Sequence, residues 1–81
     1  MTAAPITMNY SYTVDFFWKG AKRNVNASCP HLPENELNAS GLALLAIKSW
    51  FEKEGISAPE IVRNVDLVAN ERSYHWNTLI L

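Results

Sequence analysis

The sequence predicts an α+β fold of two layers: an antiparallel four-stranded sheet with one helix packed on one face, in the order β-β-α-β-β, with residues 1–81 forming a single small domain. Three observations predict it. Four stretches are rich in aromatic and β-branched residues and mostly alternate apolar with polar, the period of a half-buried strand. One stretch between the second and third repeats its apolar residues at helical spacing. Short polar turns separate the strands within each pair, so each pair is a local hairpin, and a single helix over one face of an antiparallel sheet is the economical way to close a core.

The first strand is read over residues 6–18, "ITMNYSYTVDFFW". Ile6, Met8, Tyr10, Tyr12, Val14, Phe16 and Trp18 share one face, and Thr7, Asn9, Ser11, Thr13 and Asp15 the other, with Phe17 the exception. Residues 1–5 read as a flexible tail. "KGAK" follows, with Gly20 able to take the positive φ of a hairpin turn. The second strand, "RNVNASC", turns Val25, Ala27 and Cys29 inward and Asn24, Asn26 and Ser28 outward.

"PHLPENELNASG" is a connection in which Pro33 can open a short helical turn, since its missing N–H is not needed there. The main helix is expected over residues 39–54, capped by Asn38 or Ser40. Leu44, Ile47 and Phe51 form its stripe, flanked by Ala43 and Trp50. Gly55 stands where a left-handed stop residue belongs, with Ile56 able to fold back on Phe51. Pro59 keeps the helix from resuming. The third strand, "EIVRNVDLVA", is expected to turn Ile61, Val65, Leu67 and Ala69 inward and Asn64 and Asp66 outward; Arg63 and Val68 break its alternation. "NERS" is a turn. The fourth strand, "YHWNTLIL", puts Tyr74, Trp76, Thr78 and Ile80 on one face. Leu79 and Leu81 then fall on the polar side with His75 and Asn77, where a partner chain can cover them, so a homodimer is among the expected assemblies.

Composition narrows the function. A formal charge of -1 and a pI near 6.0 do not describe a general polyanion binder. One cysteine excludes an internal disulfide framework and suits a reducing compartment. The opening "MTAAPITM" has neither the basic start nor the apolar run of a secretory signal, and no stretch approaches the roughly 20 apolar residues of a membrane helix. A cytoplasmic setting is expected. The triplets at Asn9, Asn26 and Asn38 match a glycosylation sequon but are read as chance in that setting.

Cys29, His31 and His75 are too few and too irregularly spaced for a structural zinc site. Cys29 falls on an apolar strand face, where a thiol is ordinary packing rather than a nucleophile. The three glycines stand apart, so there is no phosphate loop. Glu34 and Glu36 suit the start of the helix; Glu52, Glu54 and Glu60 near its end are read as a solvated helix end. No catalytic set, no metal and no cofactor is therefore expected. What does stand out is the polar side of the sheet. Five of the eight asparagines, a poor strand residue, fall there, and amides both donate and accept hydrogen bonds without adding charge. Asn9, Asn24 and Asn26 are the candidate partner-binding residues. Lys19, Lys22 and Arg23 join them as a basic cluster at the first hairpin tip, beside Phe17 and Trp18.

A β-hairpin, then "CPHLP", then the Ala- and Leu-rich "ALLAIKSWFEKEG" and a following proline resembles, over residues 8–59, the small antitoxin domains of the HicB type. The Gly-containing turn that those domains carry before the helix is missing here, as is an appended DNA-binding module. The size and layout are also similar to those of phage-encoded inhibitors such as anti-CRISPR proteins. The resemblance implies a protein that works by occupying another protein. Two functions are carried forward: a small non-enzymatic protein-binding module acting as an inhibitor or antitoxin, and a nucleic-acid-binding module using Lys19, Lys22 and Arg23.

Overall fold

The computed structural model describes residues 9–81. The expected tail and the start of the first strand, including Ile6 and Met8, lie outside the described residues. The elements are β1 (Tyr10–Trp18), β2 (Ala21–Cys29), α1 (Glu36–Lys53), β3 (Ile61–Ala69) and β4 (Arg72–Ile80). All strand pairings are antiparallel and the sheet order is β2-β1-β3-β4, so the two hairpins meet along a β1–β3 seam. The two-layer α+β arrangement is as the sequence predicts, with α1 covering one face of the sheet.

Both hairpin turns use positive φ. Lys19 at 52° and Gly20 at 72° occupy the two central positions between β1 and β2, the geometry that matches the right-handed twist of the flanking strands. Between β3 and β4, Asn70 at 58° takes the first such position, a conformation asparagine tolerates better than most residues.

The helix begins three residues earlier than the expected 39. Neither Asn38 nor Ser40 caps it. Asn35 does, in an extended conformation, its side-chain oxygen accepting from the Asn38 N–H at 2.8 Å. Glu36 in the first turn adds a favourable charge at the positive end of the dipole. Pro33 opens no helical turn. It is buried ahead of the cap, and its carbonyl accepts a hydrogen bond from Arg72 Nη1. The other end follows expectation. Gly55 has φ 70°, its N–H bonds to Glu52 O at 3.1 Å, and Ile56 N–H bonds to Phe51 O at 3.0 Å. This pair of bonds satisfies two of the carbonyls that a helix end leaves free.

Ala39, Ala43, Ala46, Ile47 and Phe51 are the buried residues of α1; Leu44 is only half-buried. The three alanines let the backbone of α1 approach the sheet, and Tyr12 Oη donates to Leu42 O at 3.1 Å across that gap. Burial and, secondarily, the nearby Cys29 push the Tyr12 phenol above its ordinary value, so it remains a donor at neutral pH. Phe16, Phe51, Trp18 and Trp50 form one aromatic cluster of edge-on and tilted pairs, with Trp18 and Phe51 centroids 4.9 Å apart and Trp50 and Phe51 5.0 Å apart.

A β-bulge corrects the expected faces of β3 and β4. Asp15 pairs with Asp66 and Phe17 with Arg63, so Phe16 alone on β1 faces two residues on β3, Asn64 and Val65. Asn64 carries the irregularity at φ 48°. Beyond it the inward positions shift by one. Val62, not Ile61, is buried, and Ile61 is exposed. The register between β3 and β4 runs straight through, pairing Val62 with Leu79 and Ile61 with Ile80. Cross-strand partners share a face, so Leu79 and, beyond the strand, Leu81 pack on the core, while Thr78 and Ile80 face out. The expected apolar overhang of Leu79 and Leu81 therefore does not exist, and it offers no surface for a second chain.

Candidate functional site

The face of the sheet that α1 leaves uncovered is organised in cross-strand rungs. Near the centre, Asn24, Asp15, Asp66 and His75 stand side by side across β2, β1, β3 and β4. Two carboxylates directly opposite one another are unfavourable by themselves. Each is relieved from its outer side. Asn24 Nδ2 donates to Asp15 Oδ1 at 2.6 Å, and Lys22 Nζ lies 3.9 Å from Asp15 Oδ2. His75 Nδ1 donates to Asp66 Oδ1 at 2.7 Å, and its Nε2 donates to Asn77 Oδ1 at 3.1 Å. Farther along, Thr13 Oγ1 donates to Asn26 Oδ1 at 3.1 Å.

With acceptors at both ring nitrogens, the imidazolium is favoured. The Asp66 hydrogen bond first and the Asn77 bond second raise the His75 pKa above its ordinary 6.5. A raised folded value means that the pair's contribution to stability is fully present below about pH 6.5 and is lost as the pH rises through the folded value. An NMR titration of the His75 ring is expected to have its midpoint above 6.5, and Asp66→Asn to bring that midpoint down. A midpoint unmoved by Asp66→Asn would show that the bond does not govern the ring.

The next rung toward the first hairpin tip is of opposite character: Lys22, Phe17, Arg63 and Thr78. Phe17 is exposed there, and beyond this rung Ile61 and Ile80 pair on the same face. The open face is thus polarised. A cationic and apolar end adjoins a carboxylate rung two β1 residues away, roughly 7 Å at strand rise.

The six candidate binding residues do not share one surface. Asn24, Asn26 and Lys22 lie on the open face, and Asn9 is exposed just ahead of β1. Lys19 sits at the turn with Nζ 4.8 Å from the Trp18 ring centroid. Arg23 lies on the helix side. Its guanidinium carbon is 5.5 Å from the Trp18 ring and 5.6 Å from the Trp50 ring, closing the aromatic cluster from above, and its Nε is buried without a partner. Sequence reasoning missed Arg63, Ile61 and Ile80 as open-face residues because the bulge had moved them. The signal was an asparagine, able to take positive φ, inside a stretch whose alternation fails at Arg63.

Cys29 is buried in the core, on the face of the sheet opposite His75, and the structure does not bring the two together. Among the described residues, no group of three or more His, Cys, Asp or Glu side chains is placed to hold a metal ion, and no helix is long and apolar enough to cross a membrane. A separate groove of about 690 Å³ runs between the 31–34 loop and the outer side of α1, past Leu32, Leu37, Gly41 and Leu45.

No family model, curated protein or solved structure matches this chain. Function is read from the chemistry of the surfaces.

Proposed function

We propose that this chain is a small non-enzymatic protein-binding module, an inhibitor that acts by occupying the surface of a partner protein with its open sheet face. One observation carries this reading: the uncovered face sets a rung of paired carboxylates, flanked by an amide and an imidazole, beside a rung of cations and an exposed aromatic. Solvation alone asks for no such order. A partner offering a basic side chain to Asp15 and Asp66, and an acidic or apolar one to Arg63 and Phe17, is selected by charge pattern as well as area. The resemblance of the sequence in size and element order to antitoxin domains and anti-CRISPR proteins favours an inhibitor of phage or mobile-element origin, or an antitoxin. The lone buried thiol suits a cytoplasmic setting.

The test is cross-linked capture from the source cells, followed by mass spectrometry, with the wild type and with Asp15→Asn combined with Asp66→Asn. The double variant removes two opposed charges, and with them the exposed Lys22 and His75 pairs, whose contributions are small, so it is expected to keep the fold. It is also expected to recover the specific partner at least tenfold less, a loss of about 1.4 kcal/mol or more. Equal recovery would remove the open face from the contact.

A second reading, a nucleic-acid-binding module, is favoured by Phe17 standing exposed between Lys22 and Arg63, with Lys19 at the tip, since a ring between cations can stack on a base. The adjoining carboxylates weigh against it. Oligonucleotide binding that falls steeply with salt and disappears in Phe17→Ala would favour this reading instead.

A further inference from the structure

The outer side of α1 carries a feature that the open sheet face does not use. Leu37 and Leu45 are 78% and 66% exposed, and Gly41 lies midway between them. The spacings are i, i+4 and i+8, so the three residues form a single ridge about 12 Å long at helical rise. Glycine in an exposed helix interior is a poorer helix former than alanine. Nothing among the described residues explains it: apart from its own chain neighbours and helix backbone, no atom lies within 4 Å of where a Cβ at Gly41 would stand, and its φ is not positive. The space is open toward solvent, along the groove beside the 31–34 loop.

We propose that this ridge is the contact between two copies of the chain, crossing antiparallel about a two-fold axis at Gly41. The shape is self-complementary. A notch flanked at equal distances by two leucines receives the same notch and leucines from the other copy, so each Leu37 meets the other copy's Leu45. The charges agree independently. Lys48 lies seven positions after Gly41, two turns on along the same side of α1, and Glu34, in the loop ahead of the Asn35 cap, lines the groove beside the ridge; both are exposed. Antiparallel crossing brings each copy's Lys48 to the end of the other copy's ridge where Glu34 lies, and a parallel one would bring like charges together. Opposed helix dipoles favour the same direction. The contact is small, so the dimer is concentration-dependent, and it leaves both open sheet faces turned outward.

Light scattering over a concentration series is expected to show a mass rising from 9.1 kDa toward twice that value. Gly41→Leu fills the notch and is expected to hold the chain at the monomer mass throughout. Gly41→Ala is expected to weaken dimerisation at least several-fold while raising the melting temperature of the dilute monomer by about 4–8 °C. Glu34→Lys and Lys48→Glu, each alone, are expected to weaken the dimer, and the two together to restore it. A wild type that stays monomeric overturns the proposal, as does a dimer indifferent to Gly41→Leu or a charge pair that fails to restore. Partner capture through the open sheet face is read on different residues, so either idea can fail alone.

Discussion

Phe16→Ala is expected to cost about 3–5 kcal/mol, the range for emptying a buried phenylalanine site. Phe16 is fully buried on a central strand. Its ring meets Trp50 edge-on at 5.5 Å and Phe51 at 5.9 Å, and it fills the space opposite the bulge, where Asn64 and Val65 face it together. Removing it therefore opens a void shared by both layers and unsupports the place where the sheet changes pattern. A chain of 81 residues has a total of only roughly 4–12 kcal/mol to lose. The variant is expected to show little or no cooperative transition in urea when followed by tryptophan fluorescence. Phe17→Ala, one residue along and on the open face, is expected to stay within about 1 kcal/mol of the wild type. Equal losses from the two would contradict the assigned orientation of β1.

Leu79→Asp is expected to cost roughly 2–4 kcal/mol, through lost apolar contact and a carboxylate pressed against the core. Ile80→Asp, its neighbour, is expected to cost less than about 1 kcal/mol because Ile80 is 71% exposed. The contrast tests the bulge directly. An unbroken alternation from Tyr74 makes Ile80 the inward residue and reverses the order of the two variants. Denaturant midpoints for the pair decide between the two geometries, since neither residue borders a turn or a cap.

The particular elements show where sequence patterns carry the fold and where they fail. β1 is legible because its rings and branched side chains alternate along the strand with Phe17 the one exception, and the helix stop because Gly55 and Pro59 follow the apolar stripe in the expected order. The helix start is hidden in the sequence for a local reason. Three asparagine or serine side chains compete as caps within six residues, and only Asn35 has an extended backbone with a donor three positions on. The exchange of faces in β3 and β4 was illegible because one residue in αL conformation changes the phase of everything beyond it, and no composition marks that except the asparagine itself. The strand order was undetermined because either edge of a hairpin can join the other hairpin. At the candidate site, the amides of β2 were placed on the correct face, yet their cross-strand partners depend on the β1–β3 seam. Arg23 was grouped with Lys19 and Lys22 by adjacency, although its two-residue spacing from Val25 puts it on the helix side, where it stacks on tryptophans.

Cys29 ends β2, an edge strand, beneath α1, and is the one sulfhydryl of the chain. Because it is sealed, an alkylating reagent reaches it only when the end of β2 peels from Tyr10 or the whole domain opens. Its labelling rate, compared across denaturant concentrations, thus separates local fraying of that margin from global unfolding, with no substitution in the chain.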